Sequence, residues 1–261
     1  MFVEKPLCLK TEELSQIKNT FYSLITNDLP REIYESKSGS VFHRGESRIT
    51  SNGAPLLMVG YNRRFSTLTQ IIKEKIASGP MSMIYRINAG AIPSDSWIQD
   101  IEVGGGRILG EVCHFVDYLT FINGSLPVSV FATAMNDANN HNDTLAVSLK
   151  YQNGSVGSVQ YFSNGSKSLA KEHVEIYSHG VTAILNDFRG LKIYGKGRPC
   201  KKKLMSQDKG QQNEVKSFLN CILKGGHPPI SLEEIFSASE VCFAILESLR
   251  SGTCIRLSAL Q

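Results

Sequence analysis

Tryptophan occurs once in the 261 residues, at Trp97, and the six cysteines include no C-x-x-C pair. Without that spacing Cys8, Cys113, Cys200, Cys221, Cys242 and Cys254 do not read as a metal or redox pair, and three of them fall in helical patterns where a buried free thiol is the usual state. Reduced thiols point to a cytoplasmic protein. No apolar run approaches the ~18 residues that a membrane span needs. The opening MFVEKPLCLK, with Glu4 and Pro6, does not read as a secretory signal. Neither sign of charge dominates: 28 basic against 24 acidic residues leave +4, too little over this length to mark a nucleic-acid binder. His141, His173 and His179 lack metal-ligand spacing to one another or to cysteine, so no metal is expected. A G-x-G-x-x-G fingerprint is also missing. Gly104, Gly106 and Gly110 are spaced one residue too long and follow Ile101-Glu102-Val103 rather than a clear strand, which argues against a nucleotide loop there. What remains is an ordinary globular composition, 41% hydrophobic and 20% charged, enough for one large domain or two smaller ones.

The chain opens on a short apolar strand ended by Glu4-Lys5-Pro6. Thr11 reads as the N-cap of a helix, with Glu12 and Glu13 in its first turn and Leu14, Ile17, Phe21, Leu24 and Ile25 at helical spacing. Residues 27–53 are polar and aperiodic, an exposed insertion, and Leu56–Val59 is a second strand closed by Gly60. Strand, helix, strand makes one parallel crossover unit. Beyond it, Leu68, Ile71, Ile72 and Ile76 mark a short helix, Met83–Ile92 a strand, and 104–122 a second helix. Strand-like runs follow at Val128–Met135, Thr144–Tyr151, Gly154–Phe162, Glu172–Ser178, Thr182–Asn186 and Gly190–Tyr194. Asn153-Gly154, His179-Gly180 and Arg189-Gly190 punctuate them as turns of a mostly antiparallel sheet. The three Asn-Gly-Ser triplets, at Asn123, Asn153 and Asn164, read as turns. Lys196, Arg198 and Lys201–Lys203 read as a solvated hairpin loop, with a phosphate contact the lesser alternative. Val215, Phe218, Leu219 and Ile222 mark a helix ended by Gly225-Gly226. A capping box at Ser231 and Glu234, with Ile230 and Ile235 as a staple, starts another that buries Leu232, Phe236, Val241, Ile245 and Leu249.

Three segments carry candidate chemistry. On a helix, Arg107, Glu111, His114 and Tyr118 share one face, and Ile108, Val112, Phe115, Val116, Leu119 and Ile122 the other, with Asp117 bordering the polar stripe. Imidazole between carboxylates can relay a proton; the bland alternative is a solvated helix face. Cys113, about 100° round the helix from His114, packs rather than reacts. Lys5, at the end of a parallel strand, lies where open α/β sheets bind ligands, or is a surface lysine. Gly60-Tyr61-Asn62-Arg63-Arg64-Phe65 offers a phenol, an amide and two guanidiniums suited to a sugar or phosphate, or is a charged linker.

Taken in order, Glu4-Lys5-Pro6, then Gly60 to Phe65, then Gly104-Gly105-Gly106 followed by His114 and Asp117, resemble the Gfo/Idh/MocA oxidoreductases. The pattern GGGRI-GE-CHF-D is similar to a branch often fused behind an alcohol-dehydrogenase-like domain. Asn88-Ala89-Gly90, Trp97, Asp100 and Asp208-Lys209-Gly210 fit that branch too. The resemblance covers nearly everything outside 27–53. It implies an α+β chain: residues 1–60 as a remnant βαβ unit of a Rossmann domain, and residues 61–261 as a substrate-binding and oligomerisation domain. That second domain would be a large, mostly antiparallel open sheet with helices on one face.

The resemblance further implies hydride transfer between NAD or NADP and a hydroxyl of a sugar, cyclitol or related metabolite. Lys5 and His114 would act at that hydroxyl, Glu111 and Asp117 would tune His114, and Glu4, Lys5 and Pro6 would border the cofactor. Tyr61, Asn62, Arg63, Asn88, Trp97, Arg107 and Tyr118 would face the substrate. Many relatives carry an aspartate four residues before the histidine, where this chain has Gly110; the adjacent Glu111 sits about 100° away around the helix. Only Met1-Phe2-Val3 precede Glu4, so the expectation is a truncated chain without the phosphate-binding half. The alternative is a non-catalytic binding or assembly module, or a subunit whose nucleotide domain is a separate polypeptide. An uncovered apolar sheet face favours a homo-oligomer; neither nucleic acid nor membrane is an expected partner.

Overall fold

Valine, isoleucine, tyrosine and phenylalanine alternate with polar residues in the strand segments beyond residue 80, and this alternation builds the sheet on which the site rests. The computed structural model describes residues 1–25, 56–93, 95–136, 142–225 and 227–257; the expected insertion at 27–53, His141 and Gly226 lie outside them. Strand β1 (Phe2–Val3), helix α1 (Thr11–Ile25) and strand β2 (Met58–Val59) form the N-terminal unit, with β1 and β2 parallel and Val3 opposite Val59. The second strand is shorter than the expected Leu56–Val59. Helix α2 (Thr67–Lys75) and strand β3 (Ser82–Asn88) follow. A π-helical turn (Ile108–Val112) then runs into α3 (Cys113–Asn123).

Strands β4 (Pro127–Ala134), β5 (Leu145–Tyr151), β6 (Val156–Phe162), β7 (Glu172–Ser178), β8 (Val181–Asn186), β9 (Gly190–Tyr194) and β10 (Cys200–Lys203) come next. Helices α4 (Gln211–Lys224) and α5 (Leu232–Ser251) and strand β11 (Ile255–Arg256) complete the order. The nine-stranded sheet runs β10-β9-β8-β7-β3-β6-β5-β4-β11. Only β3 and β6 pair in parallel; the other neighbours are antiparallel, as the turn signals predict. One sheet face carries Tyr85, Val147, Val159, Tyr161, Val174 and Ile176 into the core against α3 and α5, all at most 1% exposed.

Four sequence expectations change. The helix at 107–118 has no polar stripe towards solvent: Cys113 to Thr120 are all buried, because α3 lies between the sheet and α5. The turn expected at Arg189-Gly190 lies at Asp187-Phe188, both in the left-handed region (φ 48° and 52°). Phe188 accepts that conformation because its ring is wholly buried edge-on to Tyr118, 5.8 Å away; burying an aromatic ring outweighs a left-handed residue's cost of about 1 kcal/mol. Lys201–Lys203 are solvent-exposed, but in edge strand β10 rather than a loop, where lysines discourage further strand pairing. Helix α4 buries Glu214 and leaves Val215, Leu219 and Leu223 exposed.

The two helix starts make a matched pair. At α5, Ser231 Oγ accepts from Glu234 N at 3.2 Å and Glu234 Oε2 accepts from Ser231 N at 3.4 Å, with Ile230 and Ile235 buried beside them. At α1 the expected cap, Thr11, is already inside the helix; Glu13 Oε2 accepts from Lys10 N at 3.1 Å and Leu9 N at 2.9 Å. Ser231→Ala is therefore expected to cost about 1 kcal/mol, and Thr11→Ala less than about 0.5 kcal/mol, in urea-unfolding midpoints. Equal losses would contradict the caps as drawn.

Candidate functional site

Gly60 ends β2, and the chain turns at once into a 3-10 segment, Asn62–Phe65, whose Asn62, Arg63 and Arg64 are all buried. Charge cannot be buried unpaired, and the pairs are long-range. Arg63 Nε and Nη2 donate to the two oxygens of Glu172 at 2.7 and 3.1 Å. Lys209 Nζ approaches Glu172 Oε1 at 2.7 Å, and the Tyr85 hydroxyl donates to Oε2. Arg64 forks onto Asp117 at 3.1 and 2.5 Å and reaches Glu234 at 3.2 Å. The Asp208-Lys209-Gly210 loop lies against the same segment. Asp208 Oδ2 accepts from Thr67 N at 2.9 Å, and Asn62 Nδ2 donates to Lys209 O at 2.8 Å. Gly210 has φ +91°, and a Cβ there would collide with the Asn62 carbonyl, so this contact requires glycine.

Lys5 reaches the π-helical turn that precedes His114. Lys5 Nζ donates to the Gly110 carbonyl at 2.5 Å, four residues before His114. Wide turns of this kind inside helices are frequent at functional sites. His114 is 7% exposed, edge-on to Tyr61 at 6.2 Å, and its buried Nδ1 has no hydrogen-bond partner among the described residues. Burial first, then Arg63, Lys5, Lys171 and Lys209, push its pKa well below the ordinary value, so the ring is neutral at pH 7.

The carboxylates expected to tune His114 bind elsewhere. Glu111 Oε2 accepts from the Tyr161 hydroxyl at 2.9 Å and lies 3.5 Å from Lys171 Nζ; Oε1 lies 3.8 Å from Arg107. Burial works against its charge, but Lys171 and then Arg107 hold its carboxyl below the usual range. Asp117 belongs to Arg64; burial pushes its carboxyl up to about 6 against the pull of that guanidinium, and it is ionised at pH 7.

The remaining candidates divide. Arg107, 2% exposed, stacks over Tyr161 at 5.1 Å and donates to Gly90 O at 2.8 Å. Trp97 is 64% exposed on the segment whose Gln99 donates to Asp143 at 2.8 Å. Glu4 lies beside Gly60, where a Cβ would approach its carboxylate to 3.0 Å, and Pro6 follows Lys5 on the same strand end. Asn88 is spent on the loop after β6, donating to Ser166 O at 2.7 Å and Leu169 O at 3.1 Å. Tyr118 is wholly buried between Tyr85 and Phe188, so it is core rather than substrate-facing.

Gly104 and Gly105 are packing glycines. A Cβ on Gly104 would strike the Trp97 carbonyl, and one on Gly105 would come within 2.6 Å of Leu9 Cδ2, leaving no cradle for a phosphate. Glu172, Lys171, Asp143 and Glu214 escaped the sequence reading, since an isolated carboxylate or lysine at a strand end or helix start carries no spacing signal. Glu214 is 4% exposed, its Oε1 has no partner among the described residues, and burial, then Glu4, pushes it up to about 8. Among the described residues no three histidine, cysteine, aspartate or glutamate side chains converge as metal ligands, and no helix is long and apolar enough to cross a membrane.

Residues 75–257 match the C-terminal alpha/beta domain of the Gfo/Idh/MocA oxidoreductase family. None of the curated proteins matches the chain by sequence. Among solved structures, the UDP-N-acetylglucosamine 3-dehydrogenase GnnA from Acidithiobacillus ferrooxidans is similar at 18% identity and TM-score 0.71, over 96% of this chain and 70% of that one. The aldose-aldose oxidoreductase from Caulobacter crescentus is similar at 14% identity and TM-score 0.70, over 98% and 71%. An oxidoreductase domain protein from Kribbella flavida is similar at 15% identity and TM-score 0.73, over 99% and 74%. At these identities the likeness is one of fold.

Glu172 makes the site acid-sensitive. Burial alone would push its carboxyl up, but Arg63 and then Lys209 outweigh it and hold the carboxyl at about 2, against an unfolded value of 4.5. The depressed pKa stabilises the fold fully above about pH 4.5, and that stabilisation is lost as pH falls towards about 2. A shift of that size is worth about 3 kcal/mol. Glu172→Gln is expected to lose a comparable amount at pH 7 and to flatten the stability profile between pH 4.5 and 2, read by chemical denaturation. A variant profile as steep as the wild type's would locate the acid sensitivity elsewhere.

Proposed function

The chain belongs to the Gfo/Idh/MocA oxidoreductase family, and we propose that it forms the substrate side of a nicotinamide-dependent oxidoreductase acting on a hydroxyl or carbonyl of a sugar, cyclitol or related metabolite. The observation that carries this reading is the Lys5 ammonium seated on the Gly110 carbonyl, beside a buried, neutral His114 with an unused ring nitrogen. A nicotinamide dinucleotide supplies or accepts the hydride when bound. Glu4, Lys5 and Pro6 suit its reactive end; the described residues hold no glycine-rich turn suited to its diphosphate.

An alcohol carbon that gives up hydride must also give up its hydroxyl proton, and a neutral imidazole can accept it. Burial first, and then the four cations, keep that base unprotonated at neutral pH. Lys5 holds the reacting oxygen by donating a hydrogen bond, and in the reverse direction His114 returns the proton. In this reading Arg63 and Asn62, buried after β2, fix the floor of the site, and Trp97, 64% exposed, offers a flat face to a sugar ring. His114→Ala is expected to lower turnover by about 10²–10⁴-fold, with the dissociation constant for the nicotinamide unchanged. The wild-type kcat/KM for alcohol oxidation should keep its plateau down through pH 6.5, since the base loses its lone pair only below that value. Unchanged turnover in the variant would remove His114 from this role.

Titration of the chain with NADH and NADPH, followed by quenching of its only tryptophan, separates this reading from a non-catalytic module. Micromolar binding supports a cofactor site within the chain or its oligomer. A folded chain that binds neither is a substrate-side module that needs a nucleotide domain from elsewhere.

We also propose that two chains pair through the open sheet face. Ile84, Phe131, Val156 and Tyr177 stand 40–46% exposed there, on β3, β4, β6 and β7, and line the same shallow groove. Phe131→Lys is expected to shift the sedimentation profile from dimer to monomer without loss of fold. A monomeric wild-type chain at micromolar concentration would reject this pairing.

A further inference from the structure

Two carboxylates carry more cations than they can neutralise. Glu172 is shared by Arg63 and Lys209, and Glu111 by Lys171 and Arg107. Asp143 adds a third negative charge, and Lys5, bonded to a carbonyl, adds a fifth positive one. These five cations exceed the three carboxylates; the surplus falls at Glu172 and Lys5, while on the Arg107 side Arg107 and Lys171 face Glu111 and Asp143.

There the guanidinium is under-used. Arg107 is buried, yet among the described residues its Nε has no partner and its one hydrogen bond of ordinary length goes to Gly90 O at 2.8 Å. The carboxylates of Glu111 and Asp143 stand off at 3.8 and 3.9 Å, beyond direct hydrogen-bond reach. Asp143 Oδ1 is likewise buried without a partner among the described residues. A guanidinium has five donors in a planar fork. Leaving the Nε donor dry and unpaired is costly, and a carboxylate or phosphate matches that fork two bonds at a time. Lys171 is the accessible member of the group: its side chain is 39% exposed, and it reaches Glu111 only at 3.5 Å.

We propose that the substrate taken beside His114 carries an anionic group, a carboxylate or a phosphate, held by Arg107 and Lys171, with the sugar ring against Trp97. The inference rests on the reading of the site as one for a sugar-like substrate and narrows its class to acidic sugars and sugar phosphates. Glu111 and Asp143 then orient the two cations from behind rather than neutralise them.

The test is calorimetric titration of the chain, at low salt, with glucose, glucuronate and glucose 6-phosphate. At least one anionic sugar is expected to bind at least about 10-fold tighter than glucose. The preference should shrink as salt rises, because the partly exposed Lys171 is screened. Preference for glucuronate alone identifies a carboxylate as the group recognised, and preference for glucose 6-phosphate alone identifies a phosphate. Lys171→Gln, at a partly exposed position that does not threaten folding, should cut the preference to less than about 3-fold. Equal affinity for all three sugars, or a preference that survives Lys171→Gln undiminished, overturns the proposal while the sugar-site reading stands. No binding of any sugar by the folded chain overturns both.

Discussion

Glu172 opens strand β7 with its carboxylate wholly buried, and three distant parts of the chain converge on it. Arg63 comes from the turn after β2, Tyr85 from β3, and Lys209 from the loop before α4. A buried carboxylate is tolerable only when its oxygens are filled by donors. The partners of Glu172 must therefore hold their places, and with them the turn at 62–65, the Asp208-Lys209-Gly210 loop and the start of α4. The candidate site sits between these pieces. Its geometry is set by electrostatic satisfaction inside the body rather than by the short strands that carry Lys5 and Gly60.

The same pairing adds to what burial does to His114. Sharing one carboxylate between two cations leaves positive charge unspent, and that surplus, added to burial, keeps the imidazole neutral. A neutral ring can accept a hydroxyl proton; a ring paired with a carboxylate, as the sequence suggested for Glu111 or Asp117, would be driven towards imidazolium. Those two carboxylates instead face other cations, Glu111 standing 3.5 Å from Lys171 and 3.8 Å from Arg107, and Asp117 bonded to Arg64. The π-helical turn before α3 contributes the other half by turning the Gly110 carbonyl towards Lys5.

Local signals were legible wherever the cause was local. The capping box at Ser231, the His179-Gly180 turn, with both residues at positive φ, and the strand periods of β4 to β9 were all readable from neighbours within a few positions. The ordered motifs from Glu4 to Asp117 pointed to the family because several weak patterns in fixed order are jointly specific. The reading failed where a distant partner decided the outcome. Phe188 takes a left-handed turn because Tyr118 offers its ring a place, and α3 loses its solvent face because the sheet and α5 enclose it. Thr11 is a local exception, since Glu13, only two residues on, takes the cap instead.

Composition and periodicity by themselves gave the helices, the run of strands with turns of a mostly antiparallel sheet, and no metal-type cysteine pairs; the ordered resemblance to the family added the single large open sheet and brought Lys5, His114 and the arginine-rich turn together. Alternation and capping act over two to four residues, so a single sequence displays them. The tertiary structure alone decided which charges meet. Arg63 lies 109 residues from Glu172, and Lys5 lies 105 from Gly110. Pairing over such separations follows from strand order and from the cost of burying an unpaired ion, neither of which leaves a trace in local spacing.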